Sequence, residues 1–256
     1  MSDNYPVVDG ELFPVNPILS LEDPTSAVAI FFRSLDMIAG TTSNEGSILV
    51  VTLFPQIQER FNFSLTEGIP HRVAYEEVIA ECVKTYLKQN EEVKRQLCDF
   101  YFVANSPKEQ SLLATHLYAD IMFVYPTIMM LELHSMYGAT TYHYQFSMPS
   151  PEPWVGPFPS WFNGSGHGDE LIYMFRPEAV STDGMKLSRN IIQYWTSFAR
   201  TGSPKEYKDS VAWIPFDVKE REYLDLRIYV PDLQLRVNNV LLSSHKVIGY
   251  LFLGRS

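Results

Sequence analysis

The chain has 256 residues, and 20 Lys+Arg against 30 Asp+Glu leave a formal charge of −10. With 46% hydrophobic residues it is a globular rather than a disordered chain, long enough to bury a full core as one large domain or two small ones. The acidic balance, uninterrupted by any block of Lys/Arg, argues against a nucleic-acid partner, which would need a basic face to meet phosphates.

The longest apolar stretch, Ile121 to Leu133, contains Tyr125, Pro126, Thr127 and Glu132. It is too short and too polar for a bilayer, which takes about 20 mostly apolar residues, so no transmembrane segment is expected. The opening MSDNYPVVDG lacks the basic and apolar regions of a signal peptide. Cys82 and Cys98 make neither a CxxC pattern nor a disulfide framework. A buried free thiol at Cys82 and a bond to Cys98 both stay open, with the free thiol favoured by its place on an apolar helical stripe.

In chain order, Asp9-Gly10 supplies a turn in a short extended opening, and Pro24 and Thr25 open a helix running through Ala27 to Ser34. Asp36 to Thr42 suits a short buried strand. Residues 73–89 carry apolar positions at Tyr75, Val78/Ile79, Cys82/Val83 and Tyr86/Leu87, a helical period. Further helices are expected from Glu91 to Phe102 and from Glu109 towards Tyr125. Pro126 kinks or splits the second of these, and Gly138 ends the part beyond the proline. Residues 139–146, ATTYHYQF, read as a strand, and 149–168 as a long loop with five prolines and four glycines. Met185 to Arg200 is amphipathic, with Ile191/Ile192, Trp195 and Phe198/Ala199 on one face and Gly202 as its stop. The segment YLDLRIYVPDLQLRV reads as two strands meeting near Pro231-Asp232. Alternating strands and helices make the fold class α/β.

Two loops carry chemistry. GTTSNEG places Glu45 just beyond the strand 36–42, and GSGHGDELIYMF places His167 in the Gly-rich loop after the strand 139–146. Loops beyond the carboxyl ends of strands form the binding crevice of an open α/β sheet. There a carboxylate can hold one imidazole nitrogen protonated and leave the other as a general base. Glycines 164, 166 and 168 allow tight turns around the ring.

The blocks PVVDGELFPVNP, IAGTTSNEGSILV, ADIMFVYPTIMMLELHS, TTYHYQF, GHGDELIYMF and IIQYWTSFARTGSPK occur in this order. Together, over roughly residues 5–230, the chain resembles the carboxyl-terminal half of a type B carboxylesterase, the α/β-hydrolase family that includes cholinesterases and neuroligins. The resemblance implies that Glu45 is the family's acid and His167 its base, in the order acid before histidine. It implies a helical excursion (73–137) between the two strands, no cofactor and no metal. Asp169 and Glu170 match the acidic pair after the histidine, with a structural role expected in tying the loop.

The family's G-x-S-x-G elbow does not occur. Of the 13 glycines only Gly254 has a serine two positions on, Ser256, with no glycine after it. The Gly-rich oxyanion-hole segment does not occur either. The expectation is therefore one partial α/β-hydrolase domain over residues 1–256, lacking the nucleophile-bearing half and inactive alone. In the resembled fold the strand 36–42 lies beside the nucleophile strand, so alone it would expose an apolar edge and invite a protein partner or a homodimer. A small-molecule ester is the implied substrate of a complete enzyme, and secretion or cell-surface attachment its implied location. The alternative is a neuroligin-like adhesion or scaffold protein of the same fold. The ending VIGYLFLGRS departs from the family's FW-type close.

Asn62-Phe-Ser64 and Asn163-Gly-Ser165 fit the glycosylation sequon. Trp154, Phe158 and Trp161 either line a pocket near His167 or pack the loop. Histidines 71, 116, 134, 143 and 245 show no metal-ligand spacing.

Overall fold

The structure is a computed structural model that describes residues 7–86, 91–207, 211–228 and 237–239. Four strands form one sheet in the order β1 (Met37–Thr42), β2 (Thr141–Phe146), β3 (Glu222–Leu226) and β4 (Val237–Asn239). β1 and β2 pair in parallel from Met37↔Thr141 to Thr42↔Phe146, β3 joins β2 in parallel, and β4 closes the far edge antiparallel to β3. The first expected strand of the tail is β3, whereas the second, expected beyond Pro231-Asp232, lies outside the described residues except at Val237, where β4 begins, and the ending VIGYLFLGRS lies outside them too.

Alternation along β1 shows why this is a layered α/β structure. Ile38 packs with Tyr142, Phe146, Leu187, Ile191 and Tyr194, whereas Met37 and Ala39 pack with Ile128, Leu131 and Phe216. Successive side chains point to opposite faces, so helices cover both sides of the sheet. The helix Thr182–Thr201 covers one face. The helix Tyr125–Ser135 covers the other.

Helices fill the crossover from β1 to β2. Ser47–Thr52 and Phe54–Phe61 come directly after the acid turn, and the sequence pattern alone did not reveal them. A longer run is built from His71–Val73, Ala74–Ile79 and Ala80–Tyr86, in which the middle six residues widen to a π-helix. Glu91–Tyr101 comes next, then a run over 107–135. Leu49, Phe54, Ile69, Val78, Ile79, Leu97 and Leu117 make the centre of this layer's core. Cys82 lies in it, and both cysteines are free thiols.

The run 107–135 is long and apolar enough to cross a membrane by length and composition alone. It nevertheless carries Gln110, Ser111, Thr115 and His134 fully buried among protein neighbours, as a core helix does. Pro126 does not split it. Residues Asp120–Val124 form a π-turn just ahead of Pro126, so the helix widens where the proline has no N–H to give and then resumes at Tyr125–Ser135. It ends before Gly138, at φ +85°.

A short helix, Glu170–Phe175, follows the histidine loop, and the next, Thr182–Thr201, is longer than its periodicity indicated and rotated by about one residue. Ser181 caps it by accepting the Gly184 N–H, and Gly202 stops it in the left-handed conformation at φ +70°. Leu187, Ile191 and Tyr194 are buried, while Ile192 and Ala199 face outward. The reason is Tyr194: its hydroxyl donates to the Val211 carbonyl at 2.5 Å and its ring meets Trp213, so the tyrosine goes inside with its polar end satisfied.

Candidate active site

Glu45 stands in the turn between β1 and the helix Ser47–Thr52 and is 6% exposed. Its Oε1 accepts the Thr42 N–H at 2.7 Å, which folds the carboxylate back over the end of its own strand. Its Oε2 lies 2.6 Å from His167 Nδ1. Because a carboxylate only accepts, the proton of this contact sits on Nδ1 and Nε2 is left as the free nitrogen. The hydrogen bond from Glu45 raises the imidazole pKa above its ordinary value against the opposing effect of burial. The His167 side chain keeps 35% of its surface exposed, so the ring is held but reachable.

The histidine loop leaves the carboxyl end of β2 and returns alongside the acid turn. Asn44 and Gly166 form an isolated parallel bridge, with the Asn44 N–H donating to the Ser165 carbonyl at 2.9 Å. Gly164 and Gly168 sit at φ +90° and +79°, the turns that only glycine adopts easily. Asp169, 2% exposed, accepts main-chain N–H groups of Gly166 at 2.7 Å, Trp154 at 3.3 Å and Ser150 at 3.4 Å. It ties both ends of the loop, and burial still pushes its pKa up. Glu170 differs from this expectation. Its Oε2 is buried with no partner among the described residues, and burial raises its pKa too.

The aromatic residues divide. Trp161 belongs to the core, near Phe54, with its indole N–H donating to the Leu65 carbonyl at 2.6 Å. Phe158 packs against the same core and its ring meets Phe162, while both Phe158 and Trp154 border the histidine loop: a side chain at Gly166 would touch Phe158 and one at Gly168 would touch Trp154, which is 70% exposed. Phe123, from the π-turn, meets the His167 ring at 5.0 Å between centroids. Sequence periodicity missed Phe123, since a π-turn shifts the helical register that places it. Ser43 and Ser47, which also contact the histidine loop, were missed because a hydroxyl in a turn carries no periodic signal.

Three of the remaining histidines are held by hydrogen bonds or ring contacts. His134 is buried between Thr141 Oγ1 and the Leu35 carbonyl, His143 packs on Phe216 and Tyr223, and His71 meets the edge of Phe102. His116 is partly buried, which lowers its pKa, and His245 lies outside the described residues. Among the described residues no group of three or more His, Cys, Asp or Glu is placed to hold a metal ion. Asn62 is exposed at the left-handed end of its helix, and in the second sequon Ser165 is fully buried.

A mostly parallel sheet covered by helices, with a carboxylate and a histidine joined beyond adjacent strand ends, defines an α/β-hydrolase-like arrangement. Residues 1–239 match the model of the carboxylesterase family, and the chain belongs to that family. It is 28% identical over 234 residues to the bile salt-activated lipase of Mus musculus, covering 86% of this chain and 36% of the lipase. It is 28% identical over 238 residues to carboxylesterase 5A of Felis catus, covering 89% of this chain and 39% of that protein. Neuroligin-3 of Mus musculus is 22% identical over 253 residues, covering 86% of this chain and 28% of its own length. The chain spans about a third of the length of the curated relatives it matches.

Proposed function

We propose that this chain is the carboxyl-terminal part of a serine carboxylic-ester hydrolase, residues 1–256 forming a partial domain that supplies the acid and the base. The observation that carries this reading is the 2.6 Å contact between Glu45 Oε2 and His167 Nδ1, made across 122 residues at the ends of neighbouring parallel strands. In the complete enzyme His167 Nε2 takes the proton of the serine as its oxygen attacks the ester carbonyl. It returns that proton to the leaving alcohol, then takes one from water as the water oxygen attacks the acyl-serine, and hands it to the serine oxygen as the acid departs. Glu45 holds the ring in the required tautomer and stabilises the imidazolium. The serine and the oxyanion hole come from a segment outside this chain, so the chain alone is inactive by this route. Phe123, whose ring meets the His167 ring at 5.0 Å between centroids, gives the histidine an apolar neighbour suited to an uncharged small-molecule ester.

The open edge of β1 supports the partial-domain reading. Met37 to Gly40 are only half-buried, and no strand pairs with their outer side among the described residues. Strands of a parallel sheet are ordinarily buried on both faces and paired on both sides. Secretion or surface attachment of the complete protein belongs to the same proposal. Similarity to neuroligin-3 favours one second reading, a non-catalytic adhesion protein that retains the pair.

Fluorophosphonate labelling of the native protein, detected with an antibody to this segment, tests both. A labelled band about two to three times the 29.4 kDa of this chain, as the relatives' lengths imply, supports the serine esterase. An unlabelled band of the larger size supports the adhesion reading, and an unlabelled band at 29.4 kDa contradicts both.

A further inference from the structure

His167 is gripped at two points, and both grips come from one turn. Glu45 holds the ring through Nδ1, and Ser47 Oγ accepts the histidine's own main-chain N–H at 2.7 Å. We propose that Ser47 is a positioning residue for His167, its hydroxyl oxygen fixing the histidine main chain so that the imidazole meets Glu45 in one orientation. This rests on the reading of Glu45 and His167 as acid and base.

Three features of the surroundings agree with that role. Ser47 is fully buried as the first residue of the helix Ser47–Thr52, so its hydroxyl is not free to turn to water. Ser43, on the other side of Glu45, accepts the Ser165 N–H at 2.8 Å, so hydroxyls four residues apart take alternate N–H groups of the histidine loop. The loop carries glycine where those hydroxyls approach: a Cβ at Gly166 would lie 3.2 Å from Ser47 Oγ, and one at Gly164 would lie 2.8 Å from Ser43 Oγ. A backbone amide at residue 167 has no strand or helix partner of its own, so the hydroxyl supplies what secondary structure would otherwise supply. The ring needs such support, because a misplacement of about 1 Å at a catalytic group costs about 10²-fold in rate.

The test is the proton between His167 Nδ1 and Glu45, observed by NMR in the intact protein together with the titration of the His167 ring. Wild type shows a strongly downfield Nδ1 proton, and Glu45→Gln loses it and lowers the titration midpoint. Ser47→Ala is expected to broaden or lose that proton and to move the midpoint towards that of Glu45→Gln. Ser47→Thr, which keeps the hydroxyl, retains the wild-type signal, while Ser47→Val, of the same shape without it, does not. A Ser47→Ala protein with the wild-type proton and midpoint, or Thr and Val variants that behave alike, overturns the proposal and leaves the acid–base reading intact. A wild-type ring with no downfield proton, unmoved by Glu45→Gln, overturns that reading and the proposal with it.

Discussion

Glu45 is a buried carboxylate with both oxygens engaged, one on Thr42 and one on His167. That arrangement has a consequence for stability. The native imidazole pKa is raised, first by the Glu45 hydrogen bond, so folding favours the protonated ring. The stabilisation is fully present below the unfolded histidine value of about 6.5. It fades as pH rises through the higher native value. Melting temperatures of wild type and Glu45→Gln should therefore lie furthest apart in mildly acidic buffer and converge towards alkaline pH, and a gap independent of pH would contradict the pairing. The thiols offer a second check at this scale. Burial pushes Cys82 up to about 12, whereas Cys98 is only partly buried with a raised pKa. A maleimide should modify Cys98 first in the native protein and reach Cys82 only on unfolding, as mass spectrometry of timed digests will read.

At the scale of elements, the acid turn is pressed against the long helix 107–135. A Cβ on Gly46 would run into the Thr115 carbonyl, although the Gly46 backbone is ordinary helix at φ −68°. The glycine is there for close approach rather than for an unusual turn. Gly46→Ala should destabilise the protein by about 1–3 kcal/mol through overpacking, measured by denaturant unfolding, and should displace Glu45 with it. An unchanged midpoint would mean that the helix yields without cost. Much of this level was legible in the sequence. β-branched and aromatic residues marked β2, Asp36 to Thr42 marked β1, and Gly202 marked a helix end. Glu45 and His167 each follow an expected strand, but their candidate roles were legible through the ordered blocks that resemble the carboxylesterase family rather than through the turns alone. Side-chain roles that depend on packing partners far along the chain were not. Tyr194 turned inward because Val211 and Trp213 receive it, and Phe123 reached His167 because a π-turn shifted the register ahead of Pro126. Neither partner lies within one window of local periodicity.

At the scale of the molecule, the sheet is covered on both faces, and among the described residues no strand pairs with the outer side of β1. The amino-terminal helices Pro17–Glu22 and Ala27–Arg33 add exposed apolar side chains, with Leu19, Val28, Ile30 and Phe31 largely in solvent and Phe31 67% exposed. An open apolar strand edge beside exposed side chains favours association. The isolated 256-residue chain should form dimers or larger species with rising concentration in sedimentation velocity, and a monomer at all concentrations would argue that the edge is protected. The His167 side chain keeps 35% of its surface exposed, as the proposed base requires. The most direct test is therefore steady-state hydrolysis of a short aryl ester by the intact protein, comparing wild type with His167→Ala. The acid–base account predicts a fall in kcat of about 10⁴-fold or more with the fold retained. An enzyme that hydrolyses the ester equally well without His167 would contradict it.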